Sequence, residues 1–297
     1  MTSTPISSYD YALPENIIAQ MPTSPREDAR LMIVDRKNQS IKHEYIKDLP
    51  AHINKNDVIV VNNSKVFKAR LHGEIDGVNK LVEIFLIRPH DEYTWIAIGK
   101  PGKKLALNTH VIFPENIIGT IVEKHDNGTM LISFPFVTKV ILDFTDRFGE
   151  VPIPPYISSI PEADEYQTSY AKVVGSVAAP TAGFHLTQKI RDEIEKNGGQ
   201  IIEITLHVGL GTFLPVKTTY LEDHTMHSEW VSLSKENSEI IMKAKKEHKR
   251  IIAIGTTTMR TLEGIASLYQ GKLQAYSGDI QVFIKPGFRF HVVDTLL

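Results

Sequence analysis

Hydrophobic positions along this chain change their spacing twice, and the change separates two kinds of region. Residues 1–68 open with a short helix started by Pro14, carrying Ile17 and Ile18. They run on to an apolar strand, Val58–Val61, that ends in Asn62-Asn63-Ser64. Between about Arg70 and Phe136 the apolar runs are short: Leu81–Ile87, Tyr93–Ile98, His110–Phe113, Ile117–Val122 and Met130–Phe134. Turn chemistry separates them. Asp126-Asn127-Gly128 is a strong hairpin signal, because Asn-Gly tolerates the positive φ of tight hairpins. Short strands in such succession predict a small antiparallel β-barrel.

From about residue 139 strands and helices alternate. A strand at Gly175–Ala179 leads into the loop Pro180–His185. A helix at Thr187–Asn197 follows, with Ile190 and Ile194 on one face and Gly198-Gly199 as its stop. The next strand, Ile201–Val208, puts Ile202, Leu206 and Val208 on one face with Ile204 between them, and Glu203, Thr205 and His207 on the other. A helix over Ser234–His248 feeds the strand Ile251–Ile254. Gly255-Thr256-Thr257-Thr258 then opens a last helix. Its expected core stripe is Met259, Leu262, Ala266 and Tyr269, with Arg260 and Glu263 on another flank. The pattern predicts an α/β fold with a largely parallel sheet, built from residues 1–68 and 139–297, and an inserted β-barrel at 69–138.

Composition narrows the class without naming a chemistry. At 297 residues, 42% hydrophobic and 23% charged, the chain has the means for two buried cores. No apolar run approaches the length of a membrane helix, and the N-terminus has neither the basic start nor the apolar stretch of a signal peptide. The expectation is a cytoplasmic protein. Cysteine is absent, which excludes disulfides, thiolate metal sites and a cysteine nucleophile. With a net charge of −2, any nucleic-acid partner must be met by a local basic patch.

In open α/β sheets ligands bind beyond the carboxyl ends of the strands. Three loops leave predicted strands there: Pro180–His185 with Thr181 and Gly183, Leu206–Phe213 with Gly209 and Gly211, and Gly255–Arg260 with Thr256 and Thr257. Glycine allows close backbone approach and threonine supplies hydroxyls. The threonine run also opens a helix, where free N–H groups favour an anion. The plainer alternative is that Thr256 or Thr257 caps that helix.

His185, His207, His224 and His227 are close in sequence, with Glu229 just behind. They are open to three readings: metal ligands, acid–base groups, or ordinary hydrogen-bonded side chains. His224-x-x-His227 has ligand spacing if it is helical, and no HExxH core accompanies it. Glycine-rich dinucleotide, P-loop and GxSxG motifs are all missing. Basic clusters are modest: Lys100-Pro101-Gly102-Lys103-Lys104 in a barrel loop and Lys243–Arg250 on a helix. Both are compatible with RNA.

Longer motifs carry more. Tyr9–Arg36, NNSKVFKARL from Asn62, VPIPPYI at Val151–Ile157, Tyr166-Gln167-Thr168 and GSVAAPTAGFH from Gly175 stand in a telling order. TLHVGLGTF from Thr205, Met226-His227-Ser228-Glu229, GTTTMRTLE from Gly255 and IKPGFRFHVVD from Ile284 continue it. In order and spacing they resemble the S-adenosylmethionine:tRNA ribosyltransferase-isomerases of queuosine biosynthesis, from about residue 9 onward.

The resemblance implies an α/β domain carrying a β-barrel. It also implies a cytoplasmic monomer that needs no metal and uses S-adenosylmethionine as ribosyl donor. The partner is tRNA bearing 7-aminomethyl-7-deazaguanine at the wobble position; the ribosyl group is transferred and isomerised, and adenine and methionine leave. For acid–base work it points to His185, His207, His227 and Glu229. For substrate binding it points to Asn62, Asn63, Thr181, Gly183, Gly209, Gly211, Thr256, Thr257, Arg260 and Glu263. For RNA it points to Arg30, Lys65 and Arg70, to which the basic barrel loop adds Lys103 and Lys104.

The chain also departs from the family pattern. Ser64-Lys65 stands where relatives read Thr-Arg, which loses a planar guanidinium fork. Lys68 replaces a proline, Leu186 a phenylalanine, and Ser158-Ser159 a charged position. Relatives continue past the point where Leu297 ends this sequence. That leaves a shortened, catalytically impaired tRNA binder as the first rival reading. A metal-dependent hydrolase built on the histidine cluster is the second.

Overall fold

The computed structural model describes residues 4–78, 80–153, 157, 165–213 and 216–297. Pro154, Pro155 and Tyr156 of the VPIPPYI motif, and Ser158-Ser159 after it, lie outside them. The chain forms two compact units, one of residues 1–65, 155–173 and 179–297, the other of 66–154 and 174–178.

Along the chain come a hairpin of β1 (Arg30–Asp35) and β2 (Ser40–Tyr45), then β3 (Asp57–Asn62) and the short β4 (Ser64–Val66). Next are β5 (Arg70–Ile75), β6 (Lys80–Pro89), β7 (Thr94–Lys100), β8 (His110–Ile112), β9 (Ile118–Lys124), β10 (Met130–Ser133) and α1 (Thr138–Phe148). After them stand β11 (Val173–Ser176), α2 (Gln188–Lys196), β12 (Gln200–Leu206), β13 (Glu229–Leu233) and α3 (Lys235–Lys246). The last elements are β14 (Arg250–Ala253), α4 (Gly255–Leu268), β15 (Tyr276–Ile280) and β16 (Thr295–Leu296).

The first unit is an α/β layer. Its sheet has the order β15-β13-β12-β3-β14-β16. β12, β3, β14 and β16 are parallel to one another, while β13 and β15 add an antiparallel edge. β3 is buried at every position, which is why its sequence reads as an unbroken apolar run rather than an alternation. Ile59 and Val61 pack with Ile190 and Ile194 of α2. Val58 and Val60 point to the opposite face, where α3 and α4 lie. Burying each such side chain contributes about 1.5–3 kcal/mol.

Local chemistry explains the helix starts. The Thr187 hydroxyl accepts from the Ile190 N–H and caps α2; the Ser234 hydroxyl accepts from the Asn237 N–H at 3.1 Å and caps α3. No side chain caps α4. Its Thr258 hydroxyl instead donates back to the Ile254 carbonyl at 2.7 Å. Gly255 there has φ +80°, a conformation other residues resist.

The expected apolar stripe of α4 needs correction. Its buried positions include Thr258, Thr261, Leu262, Ile265 and Ala266, while Met259 and Tyr269 are only half-buried. The helix packs along several strands of the sheet, so its buried face is wider than a stripe and admits threonine hydroxyls that bond their own backbone. The strand expected to reach Val208 ends at Leu206, although the His207 N–H still donates to the Trp230 carbonyl at 2.9 Å.

The second unit is a closed antiparallel barrel of six strands in the order β10-β7-β6-β5-β8-β9. The Asp126-Asn127-Gly128 turn joins β9 to β10, with Gly128 at φ +86°. Leu71, Ile84, Leu86, Trp95, Ile121 and Ile132 fill the interior. α1 belongs to this unit. Its Phe144 is fully buried and meets Phe113 edge-on, with ring centroids 6.5 Å apart.

Candidate active site

β3 is the centre of the parallel sheet, with β12 on one side and β14 on the other. Connections that leave a central strand in opposite directions open a crevice at the strands' carboxyl ends. Asn62, Leu206 and Ala253 are the last residues of those three strands. Asn62 and Asn63 are already employed there. The Asn62 side chain accepts from the Leu206 N–H at 2.9 Å and donates to its carbonyl at 3.0 Å. Asn63 accepts from the Thr205 hydroxyl at 2.7 Å and donates to Glu203 at 3.1 Å. Both asparagines lace β3 to β12 and thereby hold the crevice floor.

Glu229 heads β13 and is buried. Arg260, one turn into α4, donates through Nη1 to its Oε2 in a short contact. The Gly209 N–H approaches Oε1 at 3.5 Å. Burial raises the Glu229 pKa above the ordinary carboxylate range, and the Arg260 cation, the Gly209 N–H and His227 pull against that rise. A carboxylate so placed ionises late and holds a proton readily. Once ionised, it is a stronger base than a free carboxylate.

His207 follows β12 and stacks on Trp230, with centroids 4.9 Å apart and planes 15° from parallel. Burial lowers its pKa to about 4, so the ring is neutral at physiological pH. Its Nδ1 is buried and has no hydrogen-bond partner. The same holds for the Thr257 hydroxyl and for Nε and Nη2 of Arg260. Nε and Nη2 form one edge of the guanidinium, the edge that accepts a planar anion bidentately. Each buried polar group left unpaired costs about 1–3 kcal/mol, and four such atoms belong to the candidate residues His207, Thr257 and Arg260.

The loop Pro180–His185 is a tight turn of 3-10 helix at Thr181–His185. It abuts the start of α4, since a Cβ on Gly255 would lie 3.2 Å from that of Ala182. His185 Nδ1 lies 2.8 Å from the Arg26 carbonyl. A carbonyl only accepts, so Nδ1 carries the proton and Nε2 is left as the basic nitrogen of the neutral ring. Arg26 itself donates to the Gln167 and Glu165 carbonyls, each at 2.8 Å, and lies over the Phe184 ring.

The other candidates are scattered. Gly183 is packed under the Tyr170 hydroxyl, which would be 2.0 Å from an added Cβ, and Gly211 backs the His227 ring at 2.6 Å. Space beside Gly209 is open, and Thr181 and Thr256 are exposed. Glu263 is fully buried and accepts from the N–H groups of His291, Val292 and Val293 at 2.8, 2.9 and 2.8 Å. Arg30 and Lys65 are exposed on the first unit. On the barrel, Lys103 and Lys104 are exposed on a turn after β7, whereas Arg70 faces Glu83 at 3.6 Å and Glu150 at 3.9 Å.

His224-x-x-His227 lies in irregular chain after a short turn at Leu221–Asp223 rather than on a helix, which removes the spacing argument for metal. Among the described residues, no three His, Asp or Glu side chains are grouped as ligands. Sequence reasoning passed over Arg26 and Trp230. Arg26 stood inside a quoted motif, and Trp230 stood next to the candidate Glu229, so adjacency was the available signal.

Comparison with known proteins identifies the family. A model of the family described as queuosine biosynthesis protein matches residues 6–297. The S-adenosylmethionine:tRNA ribosyltransferase-isomerase of Desulfitobacterium hafniense is 39% identical over 98% of this chain and 86% of its own length. The crystal structure of S-adenosylmethionine tRNA ribosyltransferase from Thermotoga maritima is similar with a TM-score of 0.51 and 29% identity. That likeness covers 98% of this chain and 83% of the other. A match that runs through every motif around the crevice leaves one assignment: this chain belongs to the queuosine biosynthesis protein family.

Proposed function

We propose that this protein is an S-adenosylmethionine:tRNA ribosyltransferase-isomerase. It transfers the ribosyl part of S-adenosylmethionine to 7-aminomethyl-7-deazaguanine at the tRNA wobble position and isomerises it, giving epoxyqueuosine-tRNA, adenine and methionine. The family membership supports the reaction, and the cluster of unpaired polar groups around Glu229 and Arg260 supports where it happens. No described helix is long and apolar enough to cross a membrane. The reading takes the enzyme as a cytoplasmic monomer that uses S-adenosylmethionine as substrate and no metal.

The chemistry assigns work to these residues. A sulfonium acidifies the C5′ hydrogens beside it, and Glu229, with its raised pKa, is the base for that carbon. His185, basic at Nε2, takes the proton that the attacking amine must lose. The methionine carboxylate sits against the free guanidinium edge of Arg260 and the Thr257 hydroxyl at the start of α4. His207, neutral and stacked on Trp230, accepts a hydrogen bond and does not serve as an acid. Exposed His227 is the group left to protonate the departing adenine. Lys103 and Lys104 contact RNA phosphate, and Arg70, already facing two carboxylates, contributes less.

The test is turnover by this 297-residue chain with S-adenosylmethionine and tRNA bearing the aminomethyl-deazaguanine. Adenine release together with the epoxyqueuosine mass is the expected result. Bound tRNA without adenine release overturns the enzymatic reading in favour of a binder.

A further inference from the structure

The segment from Ser7 to Pro25 is unlike the rest of the first unit. It holds only short turns, Ile6–Tyr9 and Glu15–Ile17. Yet it exposes Tyr9 at 49%, Tyr11 at 78%, Ile17 at 62% and Met21 at 71%. A run of large apolar groups left in solvent is a surface on which a partner can dock.

Both ends of the segment are tied to other parts of the first unit. At its start, the Ile6 N–H donates to the Thr219 carbonyl at 2.9 Å and Pro5 bridges Tyr220, in the stretch between Gly211 and His227. At its end, Arg26 clamps the Glu165 and Gln167 carbonyls, and its own carbonyl lies 2.8 Å from His185 Nδ1. The exposed side chains are thus carried on a segment anchored at both ends.

We propose that Tyr9 and Tyr11 form a stacking platform for an unpaired nucleobase of the RNA substrate. The inference rests on the proposed function, because it takes tRNA as the partner. Asp10 between the two tyrosines is extended, at φ −70° and ψ 137°, and neither ring stacks on another ring among the described residues. Ring faces suit bases, whose π-surfaces stack on aromatic side chains with little dependence on sequence. Phosphate is a poor fit. From Thr4 to Pro25 the chain has Asp10 and Glu15 and no lysine or arginine, so it repels the backbone and favours the bases.

Direct binding of the tRNA anticodon stem–loop decides the matter, run beside adenine release. Tyr11→Ala and Tyr9→Ala should each weaken RNA binding roughly tenfold or more, and Tyr11→Phe should restore it. The KM for S-adenosylmethionine should stay unchanged, as should the salt dependence of RNA binding. Because Tyr11 is exposed, the variants should keep the wild-type circular dichroism and melting temperature. Unchanged RNA affinity in both alanine variants overturns the platform, and so does an effect confined to the KM for S-adenosylmethionine. If the wild type binds RNA and releases no adenine, the proposed function fails while the binding comparison still judges the platform.

Discussion

Two buried carboxylates meet at α4, Glu263 on the helix itself and Glu229 against its Arg260, and they differ in how they are satisfied. Glu263 accepts from three backbone N–H groups between 2.8 and 2.9 Å, so its charge is fully housed by the fold. Glu229 has one cation, whose own outer edge is unpaired, and one N–H at 3.5 Å. Burial is similar; completeness is not. A buried charge whose bonds are all made by the chain is a fastener, here pinning the segment that leads into β16 against the helix. A buried charge in a partly made network has been left for something else to finish. Arg260 and Glu263 are one helical turn apart and were indistinguishable as candidates. The difference is in their partners: Arg260 meets a side-chain carboxylate on β13, and Glu263 meets backbone N–H groups.

The sharpest way to break this contrast is to change each carboxylate and read both activity and stability. Glu229→Gln keeps the shape and should lower kcat about a hundred- to ten-thousandfold, far more than the fraction of folded protein falls when Arg260 loses its counter-charge. In the wild type the acid limb of the pH–rate profile should lie above the ordinary carboxylate range, because the base must be ionised and burial delays its ionisation. A limb at the usual position, or full activity of Glu229→Gln, would return Glu229 to the scaffold. Glu263→Ala should cost about 3 kcal/mol of stability, since it strands three backbone donors, and activity should fall only as the fold does. Chemical denaturation measures it; a stable but inactive variant would erase the distinction.

His207 provides a smaller test of the crevice side. Its pKa is lowered to about 4 from an ordinary 6.5. Between those values the unfolded chain binds a proton that the folded chain refuses, so stability rises with pH across that window and is lost as pH falls through it. Discounted for partial exposure, the loss near pH 4 is about 2 kcal/mol. His207→Phe should flatten that part of a melting-temperature profile. The smallest effect belongs to the barrel: Lys103→Ala and Lys104→Ala should each weaken tRNA binding uniformly and reduce its salt slope by roughly one. An unchanged slope would clear the barrel turn of phosphate contact.

Much of the scaffold is legible in the sequence. Thr187 and Ser234 cap the helices they precede, and Asp126-Asn127-Gly128 turns the hairpin it predicts. β3 announces its double coverage by an unbroken apolar run. These signals are local: a few consecutive residues contain both the group and its partner. α4 misled because its helical period was right while its neighbours were unknown. A buried face shared among several strands accepts Thr258 and Thr261, which an apolar stripe would not include. His224-x-x-His227 misled in the same way, as spacing carries meaning only once the backbone conformation is given.

By itself the sequence determined the elements, the α/β fold with its barrel, and, through its long motifs, the family. It also named candidate residues for the strand-end crevice. Only the tertiary structure decided which partners each of them bonds. The bond between Glu229 and Arg260 joins residues 31 apart, and Glu263 reaches backbone 28 to 30 residues further on. Asn62 spends its amide on Leu206, 144 residues away. Whether a polar group is satisfied depends on what the folded chain brings to it, and that pairing is set by packing across the sheet rather than by neighbours in sequence.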